Sequence, residues 1–127
     1  MKAEELIRQY QGGERDFVLI SLRRCELRGT DLYGINLSGS ELRGCDLSQS
    51  NRMGARLRRA DLSWANLSGA DLSGADLGSA DLRAADLRAA KLSHANLEHA
   101  KVTPEQLAEA ATLEGAIMPD GETHEPS

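Results

Sequence analysis

The sequence predicts a solenoid, a fold in which similar coils stack on one another around a continuous core. A central position recurs every five residues from Phe17 to Val102, and fifteen of these eighteen positions are leucine. Ten of the eighteen positions that lie two residues earlier are alanine. A five-residue period fits neither a helix nor a flat strand, because neither would keep every leucine on one side. A chain that turns a corner once per unit would bury all of them, as a solenoid does.

The most regular stretch reads ADLSWANLSGADLSGADLGSADLRAADL, from Ala60 to Leu87. Its A(D/N)LSG-type units resemble those of pentapeptide repeat proteins, and the resemblance covers about two thirds of the chain. It implies an all-β solenoid: a right-handed quadrilateral parallel β-helix with four units in each coil. At about 4.8 Å per coil, the shaft would be roughly 20 Å long. The flanking segments ERDF and VTPEQLAEA also resemble those of bacterial members, notably cyanobacterial ones.

Residues 1–14 are predicted to form an N-terminal capping helix. The segment KAEELIRQYQ places Leu6, Ile7 and Tyr10 on one side, and the glycine pair that follows ends the helix. The first coil of a solenoid exposes its leucines and unpaired backbone groups, so we expect this helix to cover them. A helix that binds a partner is the alternative interpretation.

Residues 15–102 are predicted to form the β-helix, with less regular units before Gly44 than after it. The one clear fault in the repeat is Arg52, which stands where a leucine is expected. Burying an unpaired guanidinium costs a large free energy. The sequence therefore predicts either a bulge that turns Met53 inward or a corner that is open to solvent at this point.

Residues 103–120 are predicted to form a C-terminal helix and cap. Thr103–Gln106 has the order of an N-cap threonine, a proline at the first helical position and a glutamine three residues after the cap. Repeat-like units then resume one residue out of register, and we expect Leu113 and Met118 to cover the last coil. Residues 121–127, GETHEPS, are predicted to be disordered.

Charge is unevenly distributed along the chain, whose formal net charge is −5. The segment 15–101 holds 13 basic and 11 acidic residues, whereas the two ends together hold 2 basic and 9 acidic residues. No apolar run reaches the roughly 20 residues that a membrane helix needs, and no secretion signal is evident. These features favour a soluble cytoplasmic protein.

We expect no catalytic, cofactor or metal site. The histidines lack the spacing of metal ligands, and no serine, histidine and acid are arranged for nucleophilic catalysis. The glycines stand at the ends of units rather than in a phosphate-binding pattern. A packed solenoid also has no interior room for a small-molecule substrate, so the sequence argues against an enzyme.

Two cysteines, Cys25 and Cys45, lie twenty residues apart. With four units in each coil they would stack in adjacent coils with Cα atoms about 5 Å apart, within the range of a disulfide. Both occupy the inner position that alanine holds elsewhere, and a reducing cytoplasm disfavours the bond. We interpret them as buried free thiols, and the sequence leaves open whether they ever pair.

A mid-shaft patch is the candidate site for a partner, because it combines a cluster of arginines with exposed aromatic residues. The arginines could hold an acidic partner or a phosphate, and a solvated surface is the alternative interpretation. The members of this candidate partner patch are Tyr33, Arg52, Met53, Arg56, Arg58, Arg59 and Trp64.

Three functions of different class follow from these features. The first is a structural or interaction module, a rigid rod that presents flat faces to an unknown protein partner. The second, implied by the resemblance, is a DNA mimic that binds a type II topoisomerase; the charge-balanced shaft disfavours it. The third is an anion or nucleic-acid binder that uses Arg52–Arg59, and the acidic ends oppose it. The sequence leaves the oligomeric state open between a monomer and a weak dimer.

Overall fold

A computed structural model describes residues 1–124 and shows a β-helix between two short helices, α1 (Ala3–Gln11) and α2 (Pro104–Ala108). Isolated parallel bridges join residues twenty apart, from Asp16 with Asn36 to Asp81 with Lys101. Four five-residue units therefore make one coil. The predicted right-handed quadrilateral β-helix is confirmed.

The interior is a stack of leucines and alanines. We number the positions of a unit from the inner alanine, so that the central leucine is position 3 and the last residue is position 5. Position 3 is at most 3% exposed in every unit from Phe17 to Leu97, and the inner alanines from Ala55 to Ala100 are at most 7% exposed. Burial of one leucine side chain contributes about 1.5–3 kcal/mol. The stability of the shaft therefore rests on its position 3 residues.

Aspartate or asparagine at position 2 serves the turn at the end of each side. Its side-chain oxygen accepts a hydrogen bond from the backbone N–H two residues later, as Asp71 does from Ser73 at 3.1 Å and Asn66 does from Ser68 at 3.0 Å. Side chains of this type stabilise turns in the same way elsewhere. The recurring carboxylates are therefore explained by the backbone.

Position 5 forms the corner of each unit in the left-handed region of backbone conformation. Glycine occupies it in many units, for example Gly74 with φ of 70°. Ten other corners hold a different residue, among them Arg24 with φ of 55° and Trp64 with φ of 62°. An L residue in this region costs roughly 1–2 kcal/mol. Because so many corners share this cost, backbone strain alone does not mark a functional site.

Helix α1 covers the first coil. Leu6 is 0% exposed and belongs to the same core as the leucines of the shaft. The Tyr10 hydroxyl donates a hydrogen bond of 2.7 Å to the carbonyl of Tyr33. The helix thus shields the apolar end of the stack from water.

Helix α2 covers the other end and is held by a capping box. The Thr103 hydroxyl accepts from the Gln106 N–H at 3.1 Å, and the Gln106 side chain accepts from the Thr103 N–H at 2.9 Å. The Gln106 amide also donates to the carbonyls of Leu82 and Ala85 at 2.8 and 2.9 Å. One side chain therefore satisfies the helix start and two carbonyl groups of the shaft.

After α2 the chain rejoins the β-helix one residue out of register. Thr112 pairs with Lys91, and Ile117 pairs with Asn96, in both cases across twenty-one residues. The prediction of disorder from residue 121 is wrong as far as residue 124. Thr123 forms an antiparallel bridge with Ile117, and the His124 N–H donates to the carbonyl of Ala116 at 2.7 Å. The remaining residues of the predicted tail, 125–127, lie outside the described residues.

Within residues 1–124, neither helix has the length and apolar character that crossing a membrane requires.

Replacement of a central leucine should prevent folding, whereas replacement of the next residue should not. Leu72 is 0% exposed and Ser73 is only partly buried. Leu72→Lys would place a charge in the core, where an unpaired ion is strongly disfavoured. Ser73→Lys should change the free energy of unfolding by less than about 0.5 kcal/mol. Circular dichroism and urea unfolding check both variants, and equal tolerance of the two changes would contradict an inward-facing Leu72.

Candidate interaction surface

The structure divides the predicted patch among different sides of the β-helix. Tyr33 and Met53 lie next to each other in adjacent coils and are 57% and 38% exposed. The exposed arginines of the segment Arg56–Arg59 belong to the unit that forms the next side of the coil. Trp64 stands at the corner that ends the side after that one, and it is 64% exposed. These residues therefore do not form one continuous surface.

Trp64 lies instead in a cleft of about 490 Å³ together with arginines from the two preceding coils. Arg24, Gly44 and Trp64 occupy the same corner in three successive coils, since they are twenty residues apart. A Cβ atom added at Gly44 would lie 3.4 Å from Cγ of Arg24. The aliphatic part of Arg24 therefore lies against the backbone of Gly44. We call this cleft the arginine–tryptophan notch, and its residues are Arg23, Arg24, Arg43, Gly44 and Trp64.

Positive charge in the notch is only partly neutralised. Nη2 of Arg23 lies 2.7 Å from a carboxylate oxygen of Glu41, and Nη1 of Arg43 donates to the hydroxyl of Ser63 at 3.1 Å. Within residues 1–124, the Arg24 guanidinium makes neither an ion pair nor a side-chain hydrogen bond. An exposed indole beside a free guanidinium offers both an apolar surface and a charge to a ligand.

Arginines elsewhere on the shaft differ in how far their charge is compensated. Arg83 and Arg88 each form an ion pair of 2.7 Å with the aspartate two residues earlier, Asp81 and Asp86. These guanidinium groups lower the pKa of both carboxyl groups, chiefly through the hydrogen bonds they donate. Within residues 1–124, the exposed Arg56 and Arg59 have neither an ion pair nor a side-chain hydrogen bond. The notch is therefore distinguished by the indole in the same cleft as Arg24, not by the lack of a counter-ion alone.

Sequence reasoning missed Arg23, Arg24 and Arg43 as neighbours of Trp64. The signal was present in the twenty-residue spacing, which places residues 24, 44 and 64 at one corner. The same spacing places Cys25 next to Cys45. The predicted patch contained Arg58 and Arg59, which are close to Trp64 in sequence but are separated from it by a corner of the coil.

A shallower cleft contains the remaining members of the basic cluster. Arg58 and Arg59 line it together with Val18, Leu19 and Gly39, among others. Leu19 is 80% exposed. At the C-terminal end, a larger cleft of about 690 Å³ lies between α2 and the last unit. Val102, Leu107, Leu113 and Met118 contribute to its mainly apolar wall.

Both alternatives that the sequence predicted for Arg52 are wrong, because the coil neither bulges nor opens to solvent there. The side chain is 0% exposed and fills the place of a central leucine, while Met53 points outward. Nη1 donates a weak hydrogen bond of 3.4 Å to the Thr30 hydroxyl, and Nε and Nη2 have no partner. Burial lowers the pKa of Arg52 to about 10, so the group stays charged at neutral pH. A residue in this position cannot contribute to a surface patch.

The long aliphatic stem explains how an arginine fits a leucine position. Such a stem packs like a hydrocarbon while its charged end extends beyond it. The charges that counter the effect of burial on the pKa of Arg52 come mainly from Cys25 and Cys45, followed by Tyr10 and Asp31. The guanidinium is thus buried in the interior of the shaft, with the Thr30 hydroxyl as its hydrogen-bond partner.

In the described part of the chain, no group of three or more histidine, cysteine, aspartate or glutamate side chains is placed to hold a metal ion.

Comparison with known proteins identifies a repeat family. A sequence profile described as pentapeptide repeats matches residues 20–59, 42–74 and 65–103, in eight copies. No curated protein matches the chain in sequence at a significant level.

Solved structures similar to this chain include two from the cyanobacterium Nostoc. HetL of Nostoc sp. strain PCC 7120, a pentapeptide repeat protein involved in heterocyst differentiation regulation, is 25% identical over 98% of this chain and 100% of its own, with a TM-score of 0.49. The pentapeptide repeat protein alr5209 from Nostoc PCC 7120 is 42% identical over 80% of this chain and 75% of its own, with a TM-score of 0.31.

A third similar structure is full-length QnrB1, a plasmid-mediated fluoroquinolone resistance protein. It is 18% identical over 83% of this chain and 68% of its own, with a TM-score of 0.51. At that identity the likeness concerns the fold alone.

Replacing Arg52 with leucine should stabilise the protein. The change removes a buried charge with two unpartnered donors and restores the residue type found at Leu32 and Leu72, its counterparts in the adjacent coils. We expect the free energy of unfolding to rise by about 1–4 kcal/mol. Urea unfolding measures it, and Arg56→Leu, at an exposed position, is the matched control with an expected change within about 0.5 kcal/mol. A loss of stability in Arg52→Leu would show that the guanidinium has interior partners of greater strength.

Proposed function

Because the chain belongs to the pentapeptide repeat family, we propose that it is a rigid, non-enzymatic scaffold that binds a protein partner through the arginine–tryptophan notch. The observation that carries this proposal is the combination of an exposed indole with a guanidinium that lacks an internal counter-ion. Tryptophan and arginine are the residue types that most often dominate binding energy at protein interfaces. As part of the proposal we place the protein in the bacterial cytoplasm.

The chemistry of the notch favours an acidic segment of the partner. Arg24 can form a charge-assisted hydrogen bond with an aspartate or glutamate of the partner, and Arg43 adds a second positive charge. The Trp64 ring offers an apolar surface to a neighbouring side chain of the same segment.

A nucleic-acid partner has less support. A nucleic-acid site needs a basic surface that follows many phosphates, because affinity grows with the number of phosphates contacted. The notch is confined to one corner of three coils, contains a single aromatic ring, and has Glu41 beside Arg23. The acidic ends of the chain would also repel a polyanion.

Mimicry of duplex DNA also has less support than the notch. A mimic must present a dense negative surface, since duplex DNA carries one charge per about 1.7 Å of its axis. Segment 15–101 has 13 basic residues against 11 acidic ones, and many of these arginines are exposed. A surface of this kind lacks the dense negative charge that mimicry requires.

The fluorescence of Trp64, the only tryptophan of the chain, tests the proposal directly. We expect a poly-glutamate peptide to change its emission in a saturable way that weakens as salt is added, because exposed charges are screened. Arg24→Ser combined with Arg43→Ser should lower the affinity about tenfold, equivalent to about 1.4 kcal/mol, while leaving the indole in place as the reporter.

The matched control removes two arginines that have ion-pair partners within the chain, Arg83→Ser with Arg88→Ser. It changes the net charge equally and should retain the affinity to within about twofold if binding is local rather than a general effect of charge. Equal weakening by both double variants would contradict the notch as the site. A response to a single-stranded oligonucleotide but not to the peptide would contradict a protein partner.

The same variants allow a test against natural partners in a bacterial cell extract. Protein that wild type and the Arg83/Arg88 control capture, and that the Arg24/Arg43 variant does not, would identify the partner. A partner held equally by all three would place the binding surface elsewhere on the shaft.

A further inference from the structure

Two thiols are in direct contact inside the first coils of the shaft. Sγ of Cys25 lies 2.6 Å from Sγ of Cys45, and the backbone N–H of Cys25 also donates to Sγ of Cys45 at 3.2 Å. Both cysteines are free. Each directly follows a corner residue of the notch, Arg24 or Gly44, so the pair lies immediately behind the notch.

The two thiols differ in their access to solvent. Cys45 is 0% exposed, whereas Cys25 is only partly buried. Cys25 lines a surface cleft of about 260 Å³ beside the first residues of the chain, Met1–Glu4, with Arg23 and Glu26 nearby. A small reagent can therefore reach Cys25 from outside, while Cys45 can react only through Cys25.

Their hydrogen bond distinguishes the two sulfurs chemically. Donation from the Cys25 thiol lowers the pKa of Cys45, and the same bond raises the pKa of Cys25. The buried charge of Arg52, whose Nε and Nη2 have no hydrogen-bond partner, also lowers the pKa of Cys45 and offsets part of the rise in the pKa of Cys25. A thiolate is the reactive form of cysteine, and nearby positive charge promotes it. The buried arginine thus has a chemical consequence for the pair.

We propose that Cys25 and Cys45 are a redox-active dithiol, which a low-molecular-weight disulfide such as glutathione disulfide converts to an intramolecular disulfide between adjacent coils. The partly buried thiol, Cys25, receives the oxidant, and the fully buried thiol, Cys45, resolves the mixed disulfide.

In the first step, Cys25 gives its proton to solvent and its sulfur attacks glutathione disulfide. A bond forms between Cys25 and one glutathione sulfur, the disulfide bond of glutathione breaks, and one glutathione thiolate leaves and takes up a proton from solvent. Cys25 is then held as a mixed disulfide with glutathione, and Cys45 is still a thiol, which donates to the carbonyl of Leu22.

In the second step, Cys45 gives its proton to solvent and its sulfur attacks Sγ of Cys25. The bond between the two cysteines forms, the bond between Cys25 and glutathione breaks, and the second glutathione thiolate leaves and is protonated by water. The protein dithiol has lost two electrons and glutathione disulfide has gained them, giving two molecules of glutathione. The reverse reaction with glutathione restores the dithiol, so the state of the pair follows the redox poise of its surroundings.

Intact-mass analysis of the full chain tests this sequence of events. The folded protein is incubated with glutathione disulfide, and remaining thiols are then alkylated under denaturing conditions. We expect wild type to lose both alkylatable thiols without retaining glutathione. Cys45→Ser should stop at one stably bound glutathione on Cys25, and Cys25→Ser should stay unmodified because Cys45 is inaccessible. Circular dichroism verifies that each variant is folded.

Several outcomes would overturn the proposal. One is a wild-type protein that accumulates a stable glutathione adduct; another is a folded wild type whose two thiols both stay reduced while Cys45→Ser accepts glutathione. Modification of Cys45 in Cys25→Ser would overturn the assigned order of attack.

Discussion

The pairing of each coil with the next across twenty residues is the constraint on which the rest of the structure depends. Backbone bonds such as that from the Leu62 N–H to the Asp81 carbonyl, 2.8 Å, recur with the same spacing along the shaft. They hold neighbouring coils at the distance between paired β-strands, about 4.8 Å. At that distance every side chain stacks on its counterpart in the adjacent coil. The side chains that meet at each corner and in each interior layer are therefore far apart in sequence.

Both sites that we propose are built by this stacking. The notch combines Arg24, Gly44 and Trp64 at one corner of three coils, and the thiol pair combines the residues that follow the first two of these. The same short segments of chain thus contribute one residue to the surface notch and the next residue to the thiol pair. Arg52 belongs to this region as well, since its buried charge lies near both thiols. Irregular features of the repeat are concentrated in the N-terminal half, where the inner alanines are replaced by larger or polar residues.

The fold could be predicted from the sequence because the period of five and the alternation of small and large apolar residues are repeated many times. The helix at Thr103–Gln106 could be predicted because its capping signal is local, and the structure contains each hydrogen bond of that capping box. The place of Arg52 could not be predicted, since the sequence does not show that a long aliphatic stem can fill a leucine position while its charged end is buried beside the Thr30 hydroxyl. The patch around Trp64 was assigned from neighbours in sequence, whereas the side chains around it come from preceding coils. Order at Thr123 depends on pairing with Ile117, which the polar composition of the segment does not reveal.

The four-unit coil also restricts how the length of such a molecule can change in evolution. Inserting or deleting one five-residue unit would turn everything beyond it by a quarter of a coil, so that faces aligned before the change would no longer be aligned after it. A change of twenty residues keeps every face in place and moves the far end by about 4.8 Å along the axis. Duplication of a coil beyond Trp64 would therefore lengthen the shaft without altering the notch. The single residue by which the register shifts after α2 shows where the chain can absorb an irregular length, at a helix outside the stack rather than within it.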